Sequence, residues 1–405
     1  MRILYLSPIN VDNSYNNGGG WISSLIKEVA LLNDNEIAVY WIGASSFKKK
    51  WGSITLYSGN LKFSFILKWL HLFNLDKRYK DYKKEFGKSI TEVIEDFDPD
   101  VIHVFGSETI LGLCTEYTDK PVVVHIQGIL NPYYNALFPP FIGWRNMTSF
   151  SLVSLTRRYI MQKYWLMNCK RECEIYKNVH YYIGRTDWDK RVTFCLNPHA
   201  TYYHGEEILR DAFYTAKYRI FPKSLTIVST ISSPYYKGLD MILKTADILK
   251  NRIKIGFEWK VYGNVNARKI EKIIGINHKE VNVFLEGVVA SEELQNQLLN
   301  STCYMHPSYI DNSPNSLCEA QILGVPSVAC NVGGLESMID NGKTGFLIPA
   351  NDPYQAAFLI YELYKNENLN MSIGEQARKV ALIRHDKSNI VKNLMNTYSN
   401  ILHTN

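Results

Sequence analysis

A chain of 405 residues with 46% apolar and 21% charged residues is long enough for two cores and too apolar to be disordered, so two globular domains are expected. Its net charge of +6 is too small for an electrostatic footprint on nucleic acid, which is excluded as a partner. Seven cysteines, an odd number with no CxxC pair, exclude a disulfide framework and a cysteine zinc site and read as reduced cytoplasmic thiols.

In chain order, RILYLS reads as a buried strand, residues 24–32 as a helix and residues 36–43 as a second strand. This βαβ order points to a parallel sheet with crossover helices. The opening MRILYLSPIN lacks a signal-peptide core, and no run of about twenty apolar residues offers a membrane span. NNGGGW follows the first strand, and Gly18, Gly19 and Gly20 there let backbone N–H groups approach an anion or simply make a turn. It matches neither GxGxxG nor a P-loop. Residues 100–106 and 121–128 read as further strands, and 130–178 as a long helical and aromatic stretch. From Pro121 to Arg171 there is no Asp or Glu, while Arg157, Arg158, Lys163, Lys170 and Arg171 mix with Tyr133, Trp144, Tyr159 and Trp165. That composition suits a segment lying on anionic lipid, and equally a basic face over an aromatic core. Residues 179–190 read as a strand and a helix start, and 186–223 as the inter-domain region.

A second alternating series begins with a strand at 224–230 and an amphipathic helix at 237–250. FEWKVYGN, VNVFLEG, STCYMHPS, PSVACN and GFLIPAN supply strands, and the tail from Asp352 two or three helices. The expected fold class is therefore α/β, with two Rossmann-like doubly wound domains facing across a cleft. The first spans 1–200, the second 201–385, and a last helix at 386–405 packs back toward the first. Ligands of such sheets sit at the carboxyl ends of the strands.

The richest chemistry lies in SYIDNSPNSLCEAQILGVPSVA. Ser313 is expected as N-cap and Pro314 as first helical residue, with the helix running to Leu323 and stopping at Gly324. The N–H groups of Asn315, Ser316 and Leu317 would then be free to hold phosphate. Asp311 precedes this helix and Glu319 lies in its second turn, both able to accept from sugar hydroxyls. The pattern suggests a nucleotide-sugar site, with ribose at Glu319, diphosphate at the helix start and sugar at Asp311. A capped helix with ordinary surface acids fits the spacing equally well. Lys237, in SPYYKGLD, sits where a cation could neutralise a leaving diphosphate, although a lone lysine is more often solvated. No HExxH or DxD pair stands out, so catalysis with no metal is expected.

Together these blocks resemble family 4 of the glycosyltransferases, of the GT-B fold. The family's E-x7-E signature reads D-x7-E here, from Asp311 to Glu319, and is flanked by HPS, GVPSVA, GG and NGKTGFLIP, with KG after the strand at 224. The resemblance implies retaining transfer of a sugar from a UDP- or GDP-linked donor, with no further cofactor. Carried over, Glu319 binds ribose, Asp311 the donor sugar and Lys237 the diphosphate. Ser313, the amides of residues 315–317 and those of Gly18 to Gly20 complete the cradle. Attack from the front face would let the leaving phosphate take the acceptor's proton.

Three departures stand out. The first acid is shorter by a methylene. The family's Arg before the KG lysine is absent from STISSPYYKG, which leaves Lys237 or a distant base such as Arg185. On the acceptor side, Gln127-Gly128 occupies the place of a His-Gly or His-Asp pair, with His125 two residues earlier on the same strand face and His103 a weaker candidate. The implied setting is the inner face of the cytoplasmic membrane, with a glycan or lipid-linked glycan acceptor in capsule or O-antigen assembly. Two other readings fit the same residues: a GT-B sugar-nucleotide epimerase, and a non-catalytic nucleotide-sugar-binding subunit.

Overall fold

The computed structural model describes residues 1–12, 20–32, 34–61, 74–147, 152–216 and 219–404. The chain divides into two compact α/β units. One comprises Met1–Tyr134, Thr148–Ile208 and Lys387–Asn405, the other Asn135–Met147 and Leu209–Asp386.

The first unit is built on eight strands: β1 (Arg2–Leu6), β2 (Glu36–Ile42), β3 (Phe47–Trp51), β4 (Ile54–Gly59), β5 (Val101–Phe105), β6 (Val122–His125), β7 (Tyr181–Gly184) and β8 (Thr201–His204). Their order is β3-β4-β2-β1-β5-β6-β7-β8, parallel except for β3. Both faces are covered, which is why the central strands read as unbroken apolar runs. Leu4, Leu6, Ile102 and Val104 face the helices Leu75–Phe97 and Leu152–Asn178. Ile3, Tyr5, Val101 and Phe105 face the helices Gly20–Ala30 and Lys387–Thr404. The last helix belongs to this core through Ile390, Leu394, Tyr398 and Ile401, and the Tyr398 hydroxyl lies 2.7 Å from His103 Nδ1.

The structure adds elements that the sequence reading lacked. The β3–β4 hairpin extends the sheet, and its outer strand FKKKW is exposed, its lysines guarding the edge against further pairing. The helix Leu75–Phe97 is capped by Asn74, whose side chain accepts from the Lys77 amide. The helix start read within 179–190 is the helix Asp187–Leu196, with a capping box between Thr186 and Asp189, and the stretch 186–223, read as an inter-domain connection, also contains strand β8. Few apolar residues mark these pieces because each is only half buried.

The second unit holds a six-stranded, wholly parallel sheet of β9 (Leu225–Thr230), β10 (Phe257–Tyr262), β11 (Val283–Gly287), β12 (Cys303–His306), β13 (Ser327–Cys330) and β14 (Phe346–Ile348). The order is β11-β10-β9-β12-β13-β14. One face packs on the helices Leu239–Asp247 and Pro353–Lys365. The other packs on Ser291–Leu299 and Asn315–Ile322. From β9 the chain winds outward through β10 and β11, and from β12 it winds the opposite way. The β9/β12 junction is thus the switch point of the sheet, where such folds leave a crevice at the strand ends.

Two glycines let the backbone close around this junction. Gly238 has φ +74°, and a Cβ there would stand 2.1 Å from the Pro307 carbonyl oxygen. Gly333 has φ +56°, and a Cβ would stand 1.8 Å from the Asp311 carbonyl oxygen. The loops after β9, β12 and β13 are thereby pressed together. The Tyr309 amide adds a 2.7 Å bond to the Tyr236 carbonyl. Gly238→Ala is expected to cost about 2–4 kcal/mol, combining left-handed strain with a backbone clash. Gly275→Ala, at φ +71° with nothing within 4 Å of its Cβ, should cost only the strain, about 1 kcal/mol. Urea unfolding of both variants checks this, and equal losses would contradict it.

Candidate functional site

The switch point of the second sheet gathers the sequence-predicted acids and the lysine. Lys237, in the loop after β9, pairs with Asp311, in the loop after β12. Both side chains are largely buried, at 15% and 7% exposure. Asp311 Oδ2 also accepts from His306 Nε2 at 2.9 Å and from the Ser308 hydroxyl at 3.3 Å. Burial alone would raise the Asp311 pKa, yet Lys237 and then His306 hold it well below the carboxylate range. Burial pulls the Lys237 ammonium down, but Asp311 outweighs it and the net shift is upward. Burial lowers the His306 pKa more than Asp311 raises it, leaving a neutral imidazole whose Nε2–H donates to the carboxylate. The second ring nitrogen faces the Tyr304 hydroxyl at 3.3 Å, and Tyr304 in turn donates to the Ser316 hydroxyl at 2.7 Å. Asp311 is therefore not a simple surface acceptor: its Oδ2 is the hub of a charged network.

The helix Asn315–Ile322 starts one residue later than expected. Pro314 is the cap rather than Ser313. Its backbone is extended at ψ 123°, and its carbonyl takes the first helical bonds, from Leu317 and Cys318, at 3.0 and 3.3 Å. A proline has no cap side chain to offer, so no side chain closes this terminus. The Asn315 and Ser316 amides accordingly head the helix, and the buried Asn315 Oδ1 accepts nothing among the described residues. The helix then ends at Leu323, with Gly324 beyond it at φ +74°.

Glu319 lies in the second turn, 5% exposed. Its Oε1 takes two bonds from Arg210, at 2.9 Å from Nε and 2.6 Å from Nη2, while Oε2 accepts none among the described residues. Burial raises the Glu319 pKa, and Arg210 offsets this only in part. Sequence reasoning missed Arg210 and gave His306 no role. Arg210 stands 109 residues from its partner in a stretch read as a connection, and no spacing could have tied them together. His306 was visible in the HPS block, as the last residue of its strand.

The remaining candidates lie in the first unit, where several are already engaged. Arg185 is buried at 3% side-chain exposure and ion-paired with Glu207, so its guanidinium is committed locally rather than available to a diphosphate. His125 is 2% exposed, packed edge-on against Trp21, and burial drives its pKa well below the usual value. Neither of its ring nitrogens has a partner among the described residues. His103 is buried with a pKa lowered to about 3 by desolvation. The Gly128 amide donates to Glu108 Oε1 at 2.7 Å, and Gln127 is partly exposed beside it. Gly20 opens the first helix, buried, whereas Gly18 and Gly19 lie outside the described residues. Among the described residues no group of three or more His, Cys, Asp or Glu is placed to hold a metal, and no helix is long and apolar enough to cross a membrane.

Two doubly wound parallel-sheet units with a charged crevice at the second switch point define the GT-B fold class. Solved structures of that class superpose on the whole chain. A sucrose-phosphate synthase from Thermosynechococcus elongatus gives a TM-score of 0.74 at 14% identity over 100% of both chains. Anabaena HepE, solved with UDP-glucose, gives 0.67 at 14% over 99% and 100%. WaaG, a glycosyltransferase involved in lipopolysaccharide biosynthesis, gives 0.65 at 14% over 98% and 99%. Residues 212–380, within the second unit, match the family model of glycosyl transferases group 1. The D-inositol 3-phosphate glycosyltransferase of Paenarthrobacter aurescens is 29% identical over 35% of this chain and 36% of its own length. The capsular polysaccharide biosynthesis glycosyltransferase CapM of Staphylococcus aureus is 30% identical over 25% and 27%. The matches to these curated relatives thus span about a third of their length.

The depressed Asp311 pKa makes a stability prediction. A carboxylate whose folded pKa lies below its unfolded value of about 4 contributes stability that is full above pH 4 and fades as pH falls further. Asp311→Asn should therefore cost about 3 kcal/mol at pH 7, where it strands a buried ammonium. The gap to wild type should narrow when urea unfolding is repeated near pH 3. A gap that stays constant with pH would contradict the ion-pair account.

Proposed function

We propose that the chain is a retaining glycosyltransferase that moves a sugar from a nucleotide diphosphate sugar to a glycan acceptor without a bound metal. The observation that carries this reading is the convergence of Lys237, Asp311 and an uncapped helix start at Asn315 on one switch point. A diphosphate there would meet a cation and two backbone donors, which stabilise the charge that builds as the sugar leaves. Asp311 holds Lys237 charged and aimed until the donor arrives. A sugar hydroxyl or phosphate oxygen then competes for a network already ordered, so little reorganisation is needed. Glu319 offers Oε2 to ribose hydroxyls while Arg210 fixes Oε1. UDP-linked sugar is the favoured donor, in line with the UDP-glucose bound by the HepE structure.

The acceptor in this reading is a glycan, carried on a lipid in the assembly of a surface polysaccharide. The names of CapM and WaaG are consistent with that setting. The helix Leu152–Asn178 supports a peripheral position on the inner membrane face. It exposes Tyr159 by 61% and Tyr164 by 42%, together with Arg157, Lys163 and Lys170, all N-terminal to its two acids, Glu172 and Glu174. Aromatic rings at headgroup depth and lysines on anionic lipid give such a face its affinity.

Nucleotide release from UDP-, GDP- and ADP-sugars, with and without a membrane lipid extract, tests the reading. One nucleotide is expected to appear, dependent on extract. Lys237→Met should lower kcat/KM by about 10²–10³ through loss of leaving-group stabilisation. Glu319→Gln should raise the donor KM by about tenfold with the fold intact. Conversion of donor with no acceptor would point to an epimerase. Binding of donor without turnover under any condition would leave a nucleotide-sugar-binding subunit and sink the transferase reading.

A further inference from the structure

The first sheet has its own switch point, between β1 and β5, and a cavity of about 340 Å³ opens there. Ser7 and Pro8 after β1, Ile42 at the end of β2 and Glu108 after β5 form its floor. Its walls come from the helices Leu75–Phe97 and Leu152–Asn178, through Arg78, Tyr79, Tyr82, Tyr164 and Arg171. The volume falls within the usual range for small-molecule pockets, about 300–1,000 Å³.

The wall carries two arginines and little compensating negative charge. Nearby basic groups are neutralised: Lys83 pairs with Glu116 at 2.7 Å and Glu174 at 2.5 Å, and Arg185 pairs with Glu207. Neither Arg78 nor Arg171 has an ion-pair partner among the described residues. Arg171 donates from Nη1 to Asn168 Oδ1 at 2.9 Å and from Nη2 to the Glu108 carbonyl, so its fork is held in place by neutral acceptors. Its Nε is buried and has no acceptor at all among the described residues. Arg78 lies over the Tyr164 ring at 5.7 Å. Glu108 is the one carboxylate among the lining residues. Its Oε1 is taken by the Gly128 amide, and burial pushes its pKa up to about 7, so one partly ionised carboxyl faces two arginines. Glu172, next to Arg171 in the chain, accepts instead from Ser107 at 2.7 Å and from the Leu130 and Asn131 amides at 2.8 Å.

A buried, pre-aimed guanidinium without a counter-ion is costly unless a ligand supplies one. The fork of an arginine matches the paired oxygens of a carboxylate or phosphate, and the tyrosine faces give a sugar ring flat surfaces to lie on. We infer that this pocket recognises an oxyanion on the acceptor glycan, the carboxylate of a uronic acid or the phosphate of a phosphosugar, and so selects acidic over neutral acceptors. Naming the ligand an acceptor rests on the transferase reading, whereas the pocket's preference for an anion does not.

Calorimetric titration of the full chain with methyl β-D-glucuronide, glucose 6-phosphate and neutral methyl β-D-glucoside tests this. At least one charged probe should bind about tenfold or more tighter than the neutral one, and which of the two does so identifies the source of the anion. Arg171→Gln should abolish the preference. Arg78→Gln, an exposed position that leaves the fold intact, should weaken it several-fold. Equal binding of all three probes, or a preference that survives both substitutions, would overturn the inference. UDP binding to the same preparations reports on the second unit alone. No anion preference in wild type, with UDP binding intact, therefore condemns only this pocket. Anion preference without nucleotide release condemns only the transferase reading.

Discussion

The Lys237–Asp311 ion pair is the constraint on which the second unit's site depends. It joins the loops after β9 and β12, the two strands from which the sheet winds in opposite directions. A lone ammonium at that depth would shed its proton or turn toward solvent. With Asp311 against it and His306 donating to the same oxygen, the charge stays in place. The pair costs desolvation on both sides, and its retention makes sense where a ligand's own charge enters the arrangement.

Backbone chemistry makes the pair possible. Gly238 and Gly333 each leave a gap where a Cβ would strike a carbonyl oxygen, so three loops pack closely enough to bury the charges. Pro314 ends the loop after β12 without occupying the helix terminus, which leaves donors facing the same crevice. A separate pair, Arg210 with Glu319, orders charge about one turn into the same helix. The first unit also places basic side chains at its own switch point, Arg78 and Arg171, but with no ion-pair partner among the described residues.

Much of this was legible in the sequence. The two parallel-sheet units and the placing of Asp311 and Lys237 at strand ends of the second sheet followed from alternating strands and helices, whereas the pairing of those two side chains did not. What escaped was of two kinds. The strand FKKKW is an exposed edge with no apolar alternation, whereas the helix Leu75–Phe97 does carry an apolar stripe, Phe86, Ile90, Val93, Ile94 and Phe97, which the sequence reading passed over among its many charged residues. The partners of the site residues escaped because they are set by tertiary contact: Arg210 to Glu319, Tyr398 to His103, Glu207 to Arg185. The cap shifted from Ser313 to Pro314 because proline keeps an extended backbone here, ψ 123°, so the helix begins at Asn315 and its terminus has no side-chain cap. Arg185 looked like a spare cation only while its buried partner was unseen.

The most direct test of the central claim is the affinity of the full chain for UDP relative to UMP, measured by calorimetry on wild type and Lys237→Met. If the switch point is a diphosphate site, wild type should prefer UDP by about tenfold or more and the variant should lose that preference while still binding UMP. A preference for UDP that survives the loss of Lys237, or no preference in wild type, would contradict the account.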